Sequence, residues 1–250
     1  MIVCKSKREI ELMRKAGEIV AGALELAKEI AKKEGTTENL NTELEKYVLQ
    51  KGGTPVFKGY RGYPKSICTS INEEIVHGIP GQRRLCEGDI LSIDIGVEYH
   101  KYNADAAITI PIGDISEEAK SLLDVCETTL NRAIKIMCAN IKLSEVSRSI
   151  QSYVESKGFS VVRDYTGHGI GREMHEDPQI PNFVSKELLR MDQVLLQGMT
   201  LAIEPMICAG KYDTEVLDNS WTVVTKDRKL SAHFEHTVVV TENGAEILTM

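Results

Sequence analysis

The sequence predicts an α+β domain built from one structural unit that occurs twice. The segments 87–97 (EGDILSIDIGV) and 197–207 (QGMTLAIEPMI) align residue for residue. Each is preceded by two stretches of helical period, so the order helix, helix, strands repeats over residues 1–115 and 116–250. Because no Pro- or Ser-rich linker separates the halves, we expect a single domain over residues 1–250.

Each repeat carries two acidic residues in its predicted strands. Asp94 and Glu204 occupy the same place in the two aligned segments. Asp105 opens DAAITI and Glu235 opens EHTVVV, which are both runs of β-favouring residues. Four acids at matching points of a repeat predict a pseudo-symmetric site where two halves of one sheet meet.

The first predicted helix pair precedes the first acidic strands. Apolar positions alternate gaps of three and four over residues 10–31, which indicates an amphipathic helix. Small residues on its apolar side favour packing on a sheet over a coiled-coil seam. A second helix is expected to begin after Asn41 and to end at Gly52 and Gly53.

The second predicted helix pair precedes the second acidic strands. The Ser-Glu-Glu opening at Ser116 suits a helix N-terminus, and this helix is expected to run towards Ala139. Another helix is expected to follow Ser144 and to end at Gly158.

Composition limits the class of protein. A chain of 250 residues with 42% apolar residues, 27% charged residues and a net charge of −7 is typical of an enzyme-sized globular domain and argues against DNA as a partner. Charge interleaved through the N-terminal segment predicts neither a signal peptide nor a membrane span. The six cysteines include no C-x-x-C pair, so we predict no disulfide framework and expect the protein to lie in the reducing cytoplasm. Five basic residues lie near the N-terminus: Lys5, Lys7, Arg8, Arg14 and Lys15. We expect them to form the solvent-exposed face of the first helix, and the alternative is that they dock to ribosomal RNA.

The acids can converge on one face of the sheet. Strand alternation places Asp94 on the open side and turns Ile93 and Ile95 towards the helices. A short turn through residues 98–103 would fold Asp105 back beside Asp94 as a hairpin. Because four clustered carboxylates repel one another unless cations hold them, the sequence predicts two divalent metal ions.

Three histidines are candidates for the same site. His168 in TGHGIG and His175 in EMHEDP lie between the acidic strands of the two repeats, and the flanking glycines allow the backbone to approach closely. The glycine spacing does not match G-x-G-x-x-G, which disfavours a phosphate loop. His77 in EEIVHGIPG precedes a bend, where a packed turn residue and a site residue are both open interpretations.

Together these stretches resemble the type I methionine aminopeptidases over nearly the whole length of the chain. The matching stretches are GYRGYPKSICTSIN, EEIVHGIP, GDILSIDIGV, YTGHGIGREMHEDPQIPNF, GMTLAIEPM and the run from Trp221 to Thr249. The resemblance implies the pita-bread fold, a curved antiparallel sheet backed by two pseudo-symmetric helix pairs with a dinuclear metal site in its cleft. It also implies a cytoplasmic monomer that removes N-terminal methionine from nascent polypeptides, favours small second residues, and uses water activated by two metal ions.

The resemblance also implies roles for the site residues. Asp94 would serve one metal, His168 and Glu204 the other, and Asp105 and Glu235 would bridge them. Oxygen ligands with one imidazole suit Mn, Fe or Co as well as Zn. The implied catalytic residues are His77 and His175, which would stabilise the oxyanion and the departing amine or position the peptide, and Glu204, which would shuttle a proton. The methionine side chain would lie among Phe57, Tyr60, Tyr63, Cys68, Met174 and Trp221.

Three departures from the pattern of that family concern the pocket and the metal site, and two smaller ones, Ala104 and Ala106, flank Asp105 without changing it. Met174 stands in place of a phenylalanine and Phe57 in place of a small residue, which puts the pocket shape in question. His233 stands in place of a glutamine and should share a strand face with Glu235, while His236 points away. We hypothesise that His233 touches the metal site, the alternative being a plain hydrogen-bonding residue at the rim.

Other proteins of the same fold give the rival interpretations. Proline-specific dipeptidases and aminopeptidases share the dinuclear site but usually carry a large extra N-terminal domain, which we do not expect here. A non-enzymatic binding protein that has lost its ligands is disfavoured, because clustered acids without metals would be costly to keep. Glu204 follows His175 by only 29 positions, which leaves no room for the type II insertion.

Overall fold

The computed structural model describes residues 2–250, in which two helix pairs alternate with groups of strands. The helices are α1 (Lys7–Ile30), α2 (Thr37–Gln50), α3 (Glu117–Ile136), α4 (Leu143–Ser156) and the short α5 (Lys186–Arg190), with a 3₁₀ turn at Tyr60–Gly62. No helix within residues 2–250 is long and apolar enough to cross a membrane.

Most strands belong to one antiparallel sheet. The strands are β1 (Thr54–Pro55), β2 (Cys68–Ile71), β3 (Glu74–Val76), β4 (Ile90–Tyr99), β5 (Tyr102–Pro111), β6 (Ser160–Val161), β7 (Thr166–Gly169), β8 (Glu176–Pro181), β9 (Thr200–Ile203), β10 (Met206–Cys208), β11 (Thr214–Val216), β12 (Val223–Thr225), β13 (Ser231–His233), β14 (Glu235–Val240) and β15 (Ala245–Ile247). The order in the large sheet is β1-β4-β5-β14-β9-β7-β8, with β2 also paired to β4 and β15 to β14. Two smaller sheets have the orders β13-β10-β6 and β11-β12-β3.

The internal repeat is visible in the backbone. Gly88, just before β4, has a φ of 93°, and Gly198, just before β9, has a φ of 88°. Glycine adopts such angles at little cost, so both aligned segments enter their strands through the same turn. The second copy is broken where Pro205, which has no N–H to donate, separates β9 from β10.

The apolar core lies on the side of the sheet that carries the helices. Ile93 and Ile95 are fully buried in a cluster with α1 and α2, as strand alternation predicts for the neighbours of Asp94. Ile203 and Val238 are fully buried in a second cluster with α3 and α4. The opposite face of β4, β5, β9 and β14 is therefore left for polar side chains.

One helix start differs from the prediction. Helix α2 begins at Thr37 and not after Asn41, because the Thr36 hydroxyl caps it by accepting a hydrogen bond from the Asn39 N–H. Asn41 is buried, and its side-chain oxygen accepts a hydrogen bond from the backbone N–H of Ser66. The predicted cap residue therefore serves a tertiary contact.

The other helix boundaries are close to the predictions. Ser116 caps α3 by accepting a hydrogen bond from the Ala119 N–H. Helix α4 starts at Leu143, one residue before the predicted Ser144, and Gly158 with a φ of 84° follows its end.

Gly17 of α1 makes a close contact that a larger residue would destroy. A Cβ at this position would lie 1.9 Å from the backbone carbonyl oxygen of Leu248. We expect Gly17→Ala to lower the free energy of unfolding by about 2 kcal/mol, measured by urea denaturation, because α1 must move off the C-terminal segment. Gly22→Ala is the matched control on the same helix, since its Cβ would meet only the movable Tyr47 hydroxyl. Equal effects of the two changes would contradict this account.

Candidate active site

Three adjacent strands bring three carboxylates together. Strands β4 and β5 are joined by a tight turn at His100 and Lys101, and their register places Asp94 opposite Ala107. The same Ala107 lies opposite Glu235 on β14. Asp105, two residues before Ala107, shares the face of its neighbours by strand alternation.

The fourth carboxylate belongs to the second repeat. Glu204 lies at the break after β9, whose last residue, Ile203, is paired with His236 of β14. Glu204 thereby reaches the same face as Glu235. The side-chain amide of Asn182 donates a hydrogen bond to the backbone oxygen of Glu204 at 3.0 Å, which fixes the backbone at the break.

These carboxylates are buried and incompletely hydrogen-bonded. Within residues 2–250, the oxygens Asp94 Oδ1, Asp105 Oδ1 and Glu235 Oε1 are buried and have no hydrogen-bond partner. Buried polar atoms are normally satisfied, and a group of unsatisfied carboxylate oxygens that face one another is suited to a cation. One carboxylate oxygen of Asp105, one of Glu235 and one ring nitrogen of His168 all lie within 4.8 Å of one another.

Burial and mutual repulsion also raise the pKa values of these carboxylates. Burial raises the pKa of Asp94 to about 7, against the effect of its hydrogen bond with Asp105. Burial, followed by repulsion from Glu235 and Asp94, raises the pKa of Asp105 well above its usual range. Burial and neighbouring carboxylates likewise raise the pKa of Glu204 and of Glu235. Without cations these groups favour their protonated forms.

His168 presents a lone pair to the carboxylates. Its Nδ1 lies 2.9 Å from the backbone oxygen of Gly169, which can only accept, so Nδ1 carries the proton and Nε2 is free to ligate. Nε2 lies 3.5 Å from Glu204 Oε1. Burial lowers the pKa of His168 to about 3, which keeps the ring neutral. A Cβ on Gly169 would lie 2.2 Å from the Asp177 backbone oxygen, so the strand needs this glycine, as predicted.

His175 and His77 lie at the edge of the same site. The His175 ring is 4.3 Å from that of His168, and its Nδ1 lies 2.8 Å from the Tyr60 hydroxyl. Burial, with a contribution from Arg61, lowers the pKa of His175. His77 has a φ of 59° just after β3, and burial lowers its pKa to about 4.

A cavity of about 150 Å³ opens above the carboxylates. A space of that size holds a benzene-sized group, which is a single side chain. Its wall is formed by aromatic rings, a thiol and a guanidinium, and the site residues form its polar part. The lining residues are Phe57, Tyr60, Arg61, Tyr63, Cys68, His77, Asp94, Asp105, His168, His175, Glu204, Trp221 and Glu235.

Two residues differ from the predicted pocket. Met174 is not among the residues that line the cavity. It is buried in the same apolar cluster as Phe57, and both side chains pack over Gly96. Arg61 lines the cavity but was not predicted. The glycines on either side of it, Gly59 and Gly62, both have positive φ, and their spacing in GYRGY is the sequence signal for this turn.

His233 is also at the site. It is 2% exposed, and its Nε2 lies 3.8 Å from Glu204 Oε2 and 3.9 Å from Glu235 Oε2. His236 points the other way, with its Nδ1 2.9 Å from the Thr249 hydroxyl. The predicted alternation of the two histidines is confirmed.

Comparisons with known proteins are consistent with this arrangement. Residues 11–242 match the model of metallopeptidase family M24. The chain is 48% identical to methionine aminopeptidase 1 of Bacillus subtilis, with 100% of this chain and 99% of that protein covered, and 41% identical to methionine aminopeptidase of Escherichia coli, with 100% and 94% covered. The structure of methionine aminopeptidase from Thermotoga maritima matches with a TM-score of 0.96 at 46% identity, covering 100% of this chain and 99% of that one. The prolidase from Pyrococcus furiosus matches with a TM-score of 0.81 at 25% identity, covering 99% of this chain and 65% of that one.

Proposed function

The chain belongs to metallopeptidase family M24, and we propose that it removes the N-terminal methionine from newly made polypeptides by metal-dependent hydrolysis of the first peptide bond. The observation that carries this proposal is a cavity for one side chain directly above four converging carboxylates. Similarity to methionine aminopeptidases over the full length of both chains supports the same substrate.

We propose that the carboxylates and His168 hold two divalent ions from among Mn, Fe, Co and Zn. The unsatisfied carboxylate oxygens and the free Nε2 of His168 fit such ions in their chemistry. When bound, divalent ions supply Lewis acidity towards the scissile carbonyl and make water a nucleophile near neutral pH. The proposed ligands are Asp94, Asp105, His168, Glu204 and Glu235.

The apolar wall of the cavity fits the methionine side chain. Aromatic rings give favourable contacts to a thioether, and Tyr63 and Trp221 pack edge to face with their ring centres 5.1 Å apart. Burial raises the pKa of the Cys68 thiol, which therefore stays neutral and can pack as a small apolar group. Phe57 completes the wall. A cavity that holds one side chain leaves the second residue of the substrate at its mouth, in accord with a preference for small second residues.

Neutral histidines can act on the peptide bond. With lowered pKa values, His77 and His175 have uncharged rings that can donate one hydrogen bond each towards the carbonyl oxygen or the departing amine. Glu204 is proposed to take a proton from the attacking water on a carboxylate oxygen during the reaction and to pass it to the leaving nitrogen.

We expect Tyr60→Phe to lower kcat about tenfold with little change in KM for a methionyl peptide. The Tyr60 hydroxyl lies 2.8 Å from Nδ1 of His175 and so orients a ring that lines the cavity. The steady-state kinetics of a Met-Gly-Met-Met peptide measure both constants. Tyr99→Phe is the control, because this tyrosine lies outside the cavity. A rise in KM alone would assign Tyr60 to the pocket wall and not to the positioning of His175.

The substrate and the metals can be tested together. The chelator-stripped protein would be assayed on Met-Gly-Met-Met and on Ala-Pro and Gly-Pro peptides, with Mn, Co, Fe or Zn restored. We expect release of methionine only after metal is restored. Cleavage of the proline peptides would move the protein to the proline-specific enzymes of the same fold, and metal binding without any cleavage would favour a non-enzymatic binding protein.

The proposed substrate places the protein with nascent chains in the cytoplasm, and we propose that it acts there as a monomer. The structure gives little support for ribosome docking through the N-terminal basic residues, because three of the five side chains contact acidic groups of the same chain. These pairs are Lys5 with Glu176, Arg14 with Glu246 and Lys15 with Glu18. Measurable, salt-sensitive co-sedimentation with ribosomes would reinstate that role.

A further inference from the structure

The buried ring of His233 has an unused nitrogen. Nε2 has no hydrogen-bond partner within the described part of the chain, although the side chain is only 2% exposed. Its distances of 3.8 and 3.9 Å to oxygens of Glu204 and Glu235 are too long for hydrogen bonds. A structural histidine in such a place would normally be satisfied, so the orphaned nitrogen needs another explanation.

The same distances suit ligands of one ion. A metal with bonds of about 2 Å to nitrogen and oxygen separates its neighbouring ligand atoms by roughly 3 to 4 Å. Ligand atoms of Glu204, His233 and Glu235 all lie within 4.8 Å of one another. Glu204 thus has an imidazole on each side, with His168 near Oε1 and His233 near Oε2.

The backbone of His233 is held as firmly as that of a proposed ligand. The Thr109 hydroxyl accepts a hydrogen bond from the His233 N–H at 2.9 Å and donates one to the His233 carbonyl oxygen at 2.8 Å. The Thr237 hydroxyl contacts the N–H and carbonyl oxygen of Asp105 in the same way, at 2.9 and 2.8 Å. Ser92 lies 2.8 Å from Thr109 and supports this contact from behind. Buried hydroxyls therefore fix the backbone from which the His233 ring extends.

We infer that His233 supplies a second imidazole ligand to the divalent ion held between Glu204 and Glu235. This inference rests on the proposed function, because it adds a ligand to the same metal centre. A second imidazole makes the ligand set of this ion softer. The site should therefore prefer Co and Zn over Mn more strongly than a site with oxygen ligands and a single imidazole would.

The test compares metal binding, without reference to turnover. Chelator-stripped wild-type protein, His233→Gln and the control His236→Gln would be titrated with Zn, Co and Mn against a chelating indicator. We expect His233→Gln to lose about tenfold or more in affinity for Zn and Co and less for Mn. His236→Gln should keep the wild-type affinities, because its ring contacts Thr249 on the other side of the strand.

A spectroscopic measurement counts the imidazoles directly. Electron spin echo modulation of Cu(II)-loaded protein detects the remote nitrogen of each coordinated ring. We expect the modulation to weaken in His233→Gln, to persist in His168→Asn and to disappear in the double variant. Equal modulation and equal Zn affinity in wild type and His233→Gln would overturn the inference, and if such a protein still released methionine, the proposed function would stand. If the wild-type protein binds metal through His233 but does not release methionine, the assignment of His233 as a ligand would stand and the proposed function would be rejected.

Discussion

Replacing Asp105 by asparagine is expected to reduce methionine release by about a thousandfold or more and, at the same time, to stabilise the metal-free fold. The carboxylate is proposed to bridge the two ions, and loss of metal polarisation costs several kcal/mol of transition-state stabilisation, which is about three powers of ten in rate. Without metal, burial and the neighbouring Glu235 and Asp94 keep this carboxyl protonated at a pH where the unfolded chain has released the proton, which costs stability. An amide of equal shape is neutral in both states, so the free energy of unfolding should rise by about 1 kcal/mol.

Two measurements on the same preparations check this opposite pair of effects. Peptide hydrolysis with saturating metal gives the loss of rate, and urea unfolding in chelator gives the change in stability. Asp124→Asn is the matched control, because it makes the same chemical change on the exposed side of α3 and should alter neither quantity. A destabilised metal-free Asp105→Asn would show that the ionised carboxylate has favourable partners, and would count against a centre designed for cations.

The four acids could be predicted from the sequence because the signals for them are local. A repeat can be seen by aligning segments, and strand alternation assigns Asp94 and Ile93 to opposite faces without knowledge of the fold. The tight turn at His100 and Lys101 lies inside the predicted range, so the hairpin followed from chain length alone. The family to which the chain belongs follows from the same residues.

Other features depend on contacts that are distant in the sequence. Thr36 and Asn41 are both cap-forming residues. Thr36 caps the helix, and the Asn41 side chain instead accepts a hydrogen bond from the distant Ser66 N–H. Met174 was predicted in the pocket, but it packs over Gly96 and is not among the residues that line the cavity. Neither choice is encoded in a local pattern, because each depends on a contact between segments more than twenty residues apart.

The position of His233 shows how the two kinds of information combine. Alternation along β13 and β14 predicts that it shares a face with Glu235, and the distances agree. The Thr109 hydroxyl contacts to the His233 backbone could not be predicted, because they join residues 124 positions apart in the chain. The lack of a hydrogen-bond partner for Nε2 could not be predicted either, because it depends on the packing of several strands. It is these contacts, and not the alternation, that distinguish a ligand from a rim residue.

The metal-free protein is expected to lose stability as the pH rises from about 6.5 to 8.5, and bound metal should abolish or reverse this dependence. The carboxylates of the site have raised pKa values in the folded state, near 7 for Asp94 and higher than usual for Asp105, Glu204 and Glu235. In this window the folded state holds protons that the unfolded state has already released. Stability therefore falls with pH, by up to about 1.4 kcal/mol per pH unit for each carboxylate that is still protonated.

The buried histidines do not disturb this window. His77, His168, His233 and His236 have lowered pKa values of about 3 to 4, so their contribution to stability is lost only as the pH falls below the unfolded value of about 6.5 and is complete above it. Below about pH 6.5 the carboxylates and the histidines change the stability in opposite directions as the pH varies. The test is therefore made between about pH 6.5 and 8.5. Urea unfolding at several pH values, with chelator or with saturating Zn, gives both slopes.

The metal reverses the dependence because it competes with protons for the same oxygens. Ionised carboxylates bind divalent ions and protonated ones do not, so affinity, and with it the stability of the loaded protein, should rise as the protons leave. Asp105→Asn tests the assignment, since it removes one of the coupled groups and should flatten the slope of the metal-free protein. A metal-free wild type whose stability is flat or rises above pH 6.5 would mean that these carboxylates are already ionised in the fold, and the repulsion that we assign to them would then have to be balanced by charges outside the cluster.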